Sequence, residues 1–149
     1  SLRVNGVLKT LYLNGNKIGD EGAKALAAAL RVNEVLTELR LDGSGPRLDE
    51  NRIGDEGAMA LASALRVNGV MTNLNLYLNN IRDEGAKAIG EALRVNAVLT
   101  DLNLGHNKFG PEGVKAIGKA LAANGVLTNL ELASNPIGDV LKHRFELKM

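Results

Sequence analysis

The sequence predicts an α/β fold, a solenoid in which one short strand and one helix alternate along the chain. Three observations carry this prediction. A segment recurs about every 28 residues, leucines fill every second position in one half of it, and apolar residues follow helical spacing in the other half. Strands stack about 4.8 Å apart, whereas packed helices need about 8–10 Å. We therefore expect a parallel sheet on the concave side of a curved stack and helices on its convex side.

The repeat is marked by the tripeptide Arg-Val-Asn, which begins at Arg3, Arg31, Arg66 and Arg94. The steps between these positions are 28, 35 and 28 residues, so the middle step holds seven additional residues. Aligned on their leucines, the repeats begin at about Leu8, Leu36, Met71, Leu99 and Leu127.

Helices are predicted near residues 20–32, 55–67, 83–95 and 111–123 from the apolar spacing and from signals at their ends. Pro111 occupies a first helical position, which tolerates the missing N–H of proline. Acidic residues such as Asp55 and Glu56 fall in the first turn, at the positive end of the helix dipole. An asparagine at each helix end is expected to close the helix in a left-handed conformation. These asparagines are Asn33, Asn68, Asn96 and Asn124.

Each repeat reads L-x-x-L-x-L-x-x-N-x-I, followed by x-D-E-G-A-x-A-L-x-x-A-L-x-x-N. This pattern resembles the ribonuclease-inhibitor type of leucine-rich repeat, and in particular the repeat region of NOD-like receptors. The resemblance covers essentially the whole chain and implies a leucine-rich repeat solenoid, a right-handed β-α horseshoe segment. It also implies that the protein recognises other proteins and is not an enzyme.

Residues 1–149 are expected to form a single leucine-rich repeat domain. Residues 1–7 match the end of a repeat and are interpreted as the remainder of a truncated one. Residues 139–149 depart from the pattern and are predicted to form a cap-like helix, with Phe145 in a core position. The insertion at residues 43–49 is expected to loop out at the rim of the concave face. It is either a binding loop or a tolerated or engineered surface insertion.

Composition and motif spacing argue against several classes of function. The 18 basic and 17 acidic residues nearly cancel, which predicts no nucleic-acid partner. No apolar run is long enough to cross a bilayer, and no signal peptide is recognisable, so no membrane partner and a cytoplasmic location are expected. The chain has no cysteine, and neither His106 nor His143 has a second ligand or a nucleophile at a recognisable spacing. No catalytic residue, cofactor or metal is predicted.

An asparagine recurs just after each predicted strand. In the repeat class that the sequence resembles, this side chain turns inward and bonds backbone groups of neighbouring turns, so a structural role is implied rather than a binding one. The column comprises Asn16, Asn51, Asn79, Asn107 and Asn135.

The side chains that alternate with the strand leucines point to the concave face. Both tyrosines of the chain, Tyr12 and Tyr77, fall on this face, and tyrosine is a favoured interface anchor. Acidic residues there outnumber the single arginine, so we expect a protein partner of basic character. The expected contact residues are Tyr12, Glu38, Arg40, Asp42, Asn75, Tyr77, Asp101, Asn103, His106 and Glu131. Two alternatives stay open: a structural or designed consensus-like repeat fragment with no ligand, and a homodimer through exposed solenoid ends.

Overall fold

A computed structural model describes residues 2–45 and 50–136 of the chain. The expected cap-like helix at residues 139–149, with His143 and Phe145, lies outside the described residues. The same holds for residues 46–49 of the insertion.

Short strands and helices alternate along the described residues. The strands are β1 (Thr10–Tyr12), β2 (Glu38–Arg40), β3 (Asn73–Asn75), β4 (Asp101–Asn103) and β5 (Asn129–Glu131). The helices are α1 (Gly19–Leu30), α2 (Asp55–Leu65), α3 (Asp83–Val95) and α4 (Pro111–Ala123).

The five strands form one parallel sheet in the order in which they occur in the chain. The central leucine of each strand pairs in register with that of the next, as Leu39 does with Leu74 and Leu74 with Leu102. Equivalent residues of successive repeats therefore lie side by side in the sheet, with no shift in register. This parallel sheet with intervening helices confirms the predicted α/β solenoid.

The core lies between the sheet and the helices. The strand leucines of the inner repeats, such as Leu39 and Leu74, are almost completely buried, and so are helix residues such as Ile89. Phe109 fills the position that Ile53 occupies in the second repeat, and both are 0% exposed. Full burial of one such side chain stabilises the fold by about 1.5–3 kcal/mol, so the repeating leucine pairs account for the stacking.

The observed helix boundaries lie within one residue of the predicted ones, except at the C-terminal ends of α1 and α2. These two helices end two residues earlier than predicted, at Leu30 and Leu65. After Leu30 the chain tightens, because the Val32 N–H donates to the carbonyl three residues before it, at Ala29, over 3.2 Å. A closing turn of this kind satisfies carbonyls that a helix end leaves free.

The prediction that asparagines close the helices in a left-handed conformation is wrong. Asn96 has φ −80° and Asn124 has φ −107°, both extended. The Asn68 amide instead donates from Nδ2 to Leu30 O, the last carbonyl of α1, at 2.8 Å, while its Oδ1 accepts from Met71 N. Asn96 bonds Leu65 O in the same way. Each of these side chains caps the helix of the preceding repeat. The cap therefore depends on the stacking of the two repeats and needs no left-handed backbone.

The acidic residues at the helix starts also act on the adjacent repeat. Asp20 lies in the first turn of α1, as predicted, but its Oδ1 accepts from Gly54 N at 2.7 Å and Gly57 N at 2.9 Å, at the start of α2. Asp55 bonds the start of α3 in the same way, and Asp83 bonds the start of α4. A Cβ on Gly57 would lie 2.7 Å from Asp20 Oδ1. The Asp and Gly of the repeated Asp-Glu-Gly motif are thus matched across repeats.

The asparagine column after the strands is turned into the stack. The Asn51 Nδ2 donates to the carbonyls of Leu13 and Leu41, at 3.1 and 2.9 Å, and its Oδ1 accepts from Asn16 N at 2.8 Å. Asn79 and Asn107 make equivalent bonds and are also buried. Each amide therefore joins two adjacent repeats where the strand bends into the next segment.

In four repeats a left-handed residue lies directly before this column, where the sequence did not predict one. Gly15, Leu78, His106 and Ser134 have φ between 52° and 64°. Only glycine adopts this conformation without strain, so the three others are held in it by the bonded turn.

Candidate functional site

The face of the sheet opposite the helices carries the polar strand side chains, and we call it the open face. It consists of Thr10, Tyr12, Glu38, Arg40, Asn73, Asn75, Asp101, Asn103, Asn129 and Glu131. Their places follow from strand alternation, which turns the intervening leucines toward the helices. Two separate groups of side chains form on this face, one over β1 and β2 and one over β3, β4 and β5.

The first group is a closed network around Arg40. The Tyr12 hydroxyl donates to Glu38 Oε2 at 3.2 Å, and the Arg40 guanidinium lies 5.2 Å from the centre of the Tyr12 ring. The hydrogen bond to Glu38 is the main cause that raises the pKa of Tyr12. The Arg40 pKa is also raised, chiefly by its hydrogen bonds to Asp42.

Asp42 is not on the open surface, and the prediction that it faces a partner is therefore wrong. Its side chain is 1% exposed. Arg40 Nε and Nη2 donate to its two carboxylate oxygens, each at 3.1 Å, and the Ser44 hydroxyl donates to Oδ2. Because Ser44 belongs to the insertion, the pattern of the regular repeats could not predict this burial.

The start of the insertion is built onto the neighbouring repeats. Asn14 Nδ2 donates to Ser44 O at 3.2 Å, and Gly15 and Gly45 approach so closely that a Cβ on Gly15 would lie 3.2 Å from the Gly45 Cα. On the other side, the Gly43 N–H donates to Tyr77 O at 2.8 Å. Residues 43–45 therefore belong to the solenoid wall rather than to a free loop.

The second group borders an open groove over β3, β4 and β5, with a volume of about 370 Å³. The groove is lined by Asn73, Asn75, Asp101, Leu102, Asn103, Thr128, Asn129, Leu130 and Glu131. Two of these residues are acidic and none is basic. Asn73, Thr128 and Asn129 were not among the expected contact residues. Asn73 and Asn129 alternate with the strand leucines, so the pattern could have included them, whereas Thr128 precedes its strand.

The amide side chains in the groove have a fixed orientation. Asn75 Oδ1 accepts from Tyr77 N and Asn103 Oδ1 accepts from Gly105 N, both at 2.9 Å. Glu131 Oε1 likewise accepts from the backbone N–H two residues later, at Ala133. With their oxygens bound to the backbone, the two asparagines present their N–H groups as the donors that remain for a ligand.

Tyr77 and His106 meet at the end of this groove. Their ring centres lie 5.4 Å apart in an edge-to-face arrangement. Gly105 leaves the space for this contact, because a Cβ there would lie 3.2 Å from the Tyr77 ring. The structure thus places Asn75, Asp101, Asn103 and Glu131 in the lining of one groove, with Tyr77 and His106 beside it. Tyr12, Glu38 and Arg40 form the other group.

The described residues show no sign of a metal site or a membrane span. Within residues 2–45 and 50–136, no three His, Asp or Glu side chains come close enough together to hold a metal ion. No helix in those ranges has both the length and the apolar character needed to cross a membrane.

Comparison with known proteins places the chain among repeat proteins. The family described as leucine rich repeat matches residues 4–27, 47–62, 68–90 and 95–118, together more than half of the chain. No curated protein matches the chain.

Solved structures show the same fold. One is leiomodin-1 actin-binding site 2, with 26% sequence identity, a TM-score of 0.74, and coverage of 94% of this chain and 76% of that one. Another is the C-terminal domain of tropomodulin from Caenorhabditis elegans, with 16% identity, a TM-score of 0.80, and coverage of 98% and 85%. The tropomodulin likeness concerns the fold alone.

Proposed function

The chain belongs to the leucine-rich repeat family, and we propose that it is a protein-binding scaffold that takes a partner of basic character on the open face of its sheet. The open face is the concave face of the predicted horseshoe, and the proposed subclass is the ribonuclease-inhibitor type. One observation carries the proposal: the groove over β3–β5 is lined by Asp101, Glu131 and amide side chains, and by no basic residue.

The groove chemistry suits a lysine or arginine side chain of a partner. Asp101 and Glu131 lie diagonally on adjacent strands, so a cation held between them would be attracted by both carboxylates. The Asp101 oxygens also accept from the neutral side chains of Thr100 and Asn129. The N–H groups of Asn75 and Asn103 would donate to carbonyls of the same partner segment. Tyr77 and His106 at the end of the groove add an aromatic edge of the kind that anchors interfaces.

The likeness to leiomodin-1 gives a first partner to test. The solved structure is named as an actin-binding site, and at 26% identity it supports a role in protein interaction for this chain. Monomeric actin is therefore one probe, and a lysine-rich peptide is the other, because the peptide tests the charge of the groove without assuming actin.

The test compares the binding of both probes to the full chain and to two double variants by isothermal titration calorimetry. Asp101→Asn with Glu131→Gln removes the groove charge and is expected to weaken binding at least about tenfold, or about 1.4 kcal/mol. Glu84→Gln with Glu112→Gln makes the same charge change on helix residues that pair with lysines of their own helix, and should leave affinity unchanged.

Tyr12→Ala with Tyr77→Ala extends the test to the aromatic residues of the open face and should also weaken binding. Equal affinity in the wild type and the groove variant would place the partner on another surface. Failure of the chain to bind either probe would favour the alternative of a structural or designed repeat fragment with no ligand.

A further inference from the structure

The Arg-Val-Asn motif has a part that the stacking of the repeats does not use. Its asparagine is buried and caps the helix of the preceding repeat, but its arginine and valine are exposed at the end of the helix of their own repeat. We call the exposed pairs the arginine–valine strip, which consists of Arg31, Val32, Arg66, Val67, Arg94 and Val95.

The strip is a regular row on the surface. Val32, Val67 and Val95 are 51%, 57% and 55% exposed, which is unusual for an apolar residue repeated at one position. Val32 and Val67 lie just after α1 and α2, and Val95 is the last residue of α3. These three helices pack side by side. Because packed helices lie about 8–10 Å apart, a guanidinium and a valine recur at about that distance.

The positive charge of the strip is not neutralised as other basic groups are. On the outer helix surface, Lys24, Lys87 and Lys115 each pair with a glutamate one turn earlier. By contrast, among the residues that the structure describes, neither the Arg66 nor the Arg94 guanidinium has an ion-pair or hydrogen-bond partner.

Arg31, in the first pair, donates from Nη1 to the Ser63 hydroxyl at 3.0 Å, and the exposed Glu34 follows it closely in the chain. The exposed Glu91 lies one turn before Arg94 on α3 but does not pair with it, so the charge that lacks a bonded partner is centred on Arg66 and Arg94.

The backbone beside the strip is open to a partner. Gly69 lies two residues after Val67, and a Cβ built on it would have nothing within 4 Å. The residue at the same place in the next repeat is Ala97, which is exposed and small. No large side chain at these two positions stands between the strip and an approaching chain.

A role in stabilising the fold explains the arginines of the strip but not its exposed valines. An arginine at a helix end is stabilised by the negative end of the helix dipole. The exposed valines gain nothing from the dipole, and their apolar surface is removed from water only if something covers it.

From the unpaired guanidinium groups of Arg66 and Arg94 and the row of exposed valines, we propose that the arginine–valine strip is a second docking surface, which binds an acidic protein segment. The segment would carry carboxylates about 10 Å apart with apolar residues between them. Three residues of a polyproline II chain span about 9 Å and bring the side chain back to the same face.

An anionic membrane is disfavoured as the occupant, because surface binding of that kind uses denser basic clusters and larger apolar areas, and the chain's net charge is only +1. This surface is separate from the open face and does not depend on the function proposed above.

The test measures fluorescence anisotropy of a labelled peptide built from Glu-Glu-Leu units, with a Gln-Gln-Leu peptide as the uncharged control. Arg66→Gln with Arg94→Gln is expected to lower affinity at least about tenfold. Val67→Ser with Val95→Ser, which leaves the charge intact, is expected to lower it about threefold or more. Lys87→Gln with Lys115→Gln removes the same charge from the outer helix surface and should leave affinity unchanged.

Four results would overturn the proposal. The first is an equal loss in the lysine and arginine variants, which would mean general charge attraction. The second is full affinity in the valine variant, and the third is no binding of the acidic peptide to the wild type. The fourth is arginine-dependent binding to phosphatidylserine-containing vesicles in place of the peptide. Circular dichroism of each variant excludes loss of the fold as the cause.

Discussion

At the scale of single residues, the open face is shaped by which polar groups already have partners. Arg40 is the basic residue of the sheet's open face, yet both of its bonded nitrogens are held by Asp42, so it contributes less free positive charge than its presence in the sequence suggests. Tyr12 is tied to Glu38 but stays 54% exposed. Over β4 and β5, Asp101 and Glu131 have no basic partner among the described residues, and Asp101 accepts only from the neutral side chains of Thr100 and Asn129.

The bond between Tyr12 and Glu38 predicts a titration that can be measured. The pKa of Tyr12 is raised above 10.0, chiefly because its hydroxyl donates to the Glu38 carboxylate. In a Tyr77→Phe background, where Tyr12 is the tyrosine that remains, Glu38→Gln should move its tyrosinate absorbance titration to lower pH. The stabilisation from this pair is fully present below the unfolded pKa of about 10 and is lost as pH rises through the higher folded value.

Glu21→Gln, which changes the same charge on α1, is the control for this titration. A curve that is identical with and without Glu38 would contradict the assigned hydrogen bond.

At the scale of the elements, the two inner helices, α2 and α3, are each capped at both ends by side chains of neighbouring repeats. At the start of α3, the Asp55 carboxylate accepts from Arg82 N at 2.7 Å and Gly85 N at 3.0 Å. At the end of α2, Asn96 donates to Leu65 O at 2.8 Å. Side-chain caps from within the same helix are absent at the starts of α1 to α4. Helix formation and repeat stacking are therefore coupled.

This coupling predicts unequal effects of two adjacent acidic residues. Asp55→Ala should lower the free energy of unfolding by about 1–3 kcal/mol, because two N–H groups at the start of α3 lose a charged acceptor. Glu56→Ala removes an exposed side chain that pairs with Lys24 at 3.4 Å, and should change stability by less than about 0.5 kcal/mol. Urea unfolding of both variants measures the difference, and equal losses would refute the capping role of Asp55.

At the scale of the whole molecule, the insertion interrupts the regular repeat, and its first described residues show where the interruption begins. Gly43 pairs with Tyr77 of the next repeat, whereas the deviation from the regular path begins after it. The bond from Gly43 N–H to Tyr77 O repeats the bond from Gly15 N–H to Asp42 O, so Gly43 occupies the regular position that in the first repeat directly precedes Asn16. This equivalence indicates that the surplus residues are 44–50 rather than 43–49.

Two deletions of equal length distinguish these possibilities. Removal of residues 44–50 should restore the 28-residue repeat and leave stability about equal, since the entropy that a shorter loop saves on folding offsets the lost Ser44 bonds to Asn14 and Asp42. Removal of residues 43–49 instead brings Glu50 to the place of Gly43, where a Cβ would lie 2.0 Å from Leu78 O. We expect this second variant to be less stable by about 1–3 kcal/mol in urea unfolding. Equal stability of the two would show that the backbone at this position adapts freely.

The sequence alone determined the order of strands and helices, the parallel register, and the face on which each strand residue lies. These features follow from short periods in the chain, two residues for a strand and near 3.6 for a helix, and from their repetition. The same periods suffice to assign one set of polar and aromatic residues to a single surface. That set is Asn75, Tyr77, Asp101, Asn103 and Glu131, whereas His106 lies beyond β4 with φ 52° and does not follow the alternation.

The tertiary structure alone decided which side chains reach across to another repeat. Asp20 bonds Gly57 and Asn68 bonds Leu30, in each case with a partner more than 30 residues away in the chain, while Ser44 of the insertion helps to bury Asp42. Local patterns cannot predict such bonds, because the distance between donor and acceptor is set by how two repeats stack and not by spacing within either one.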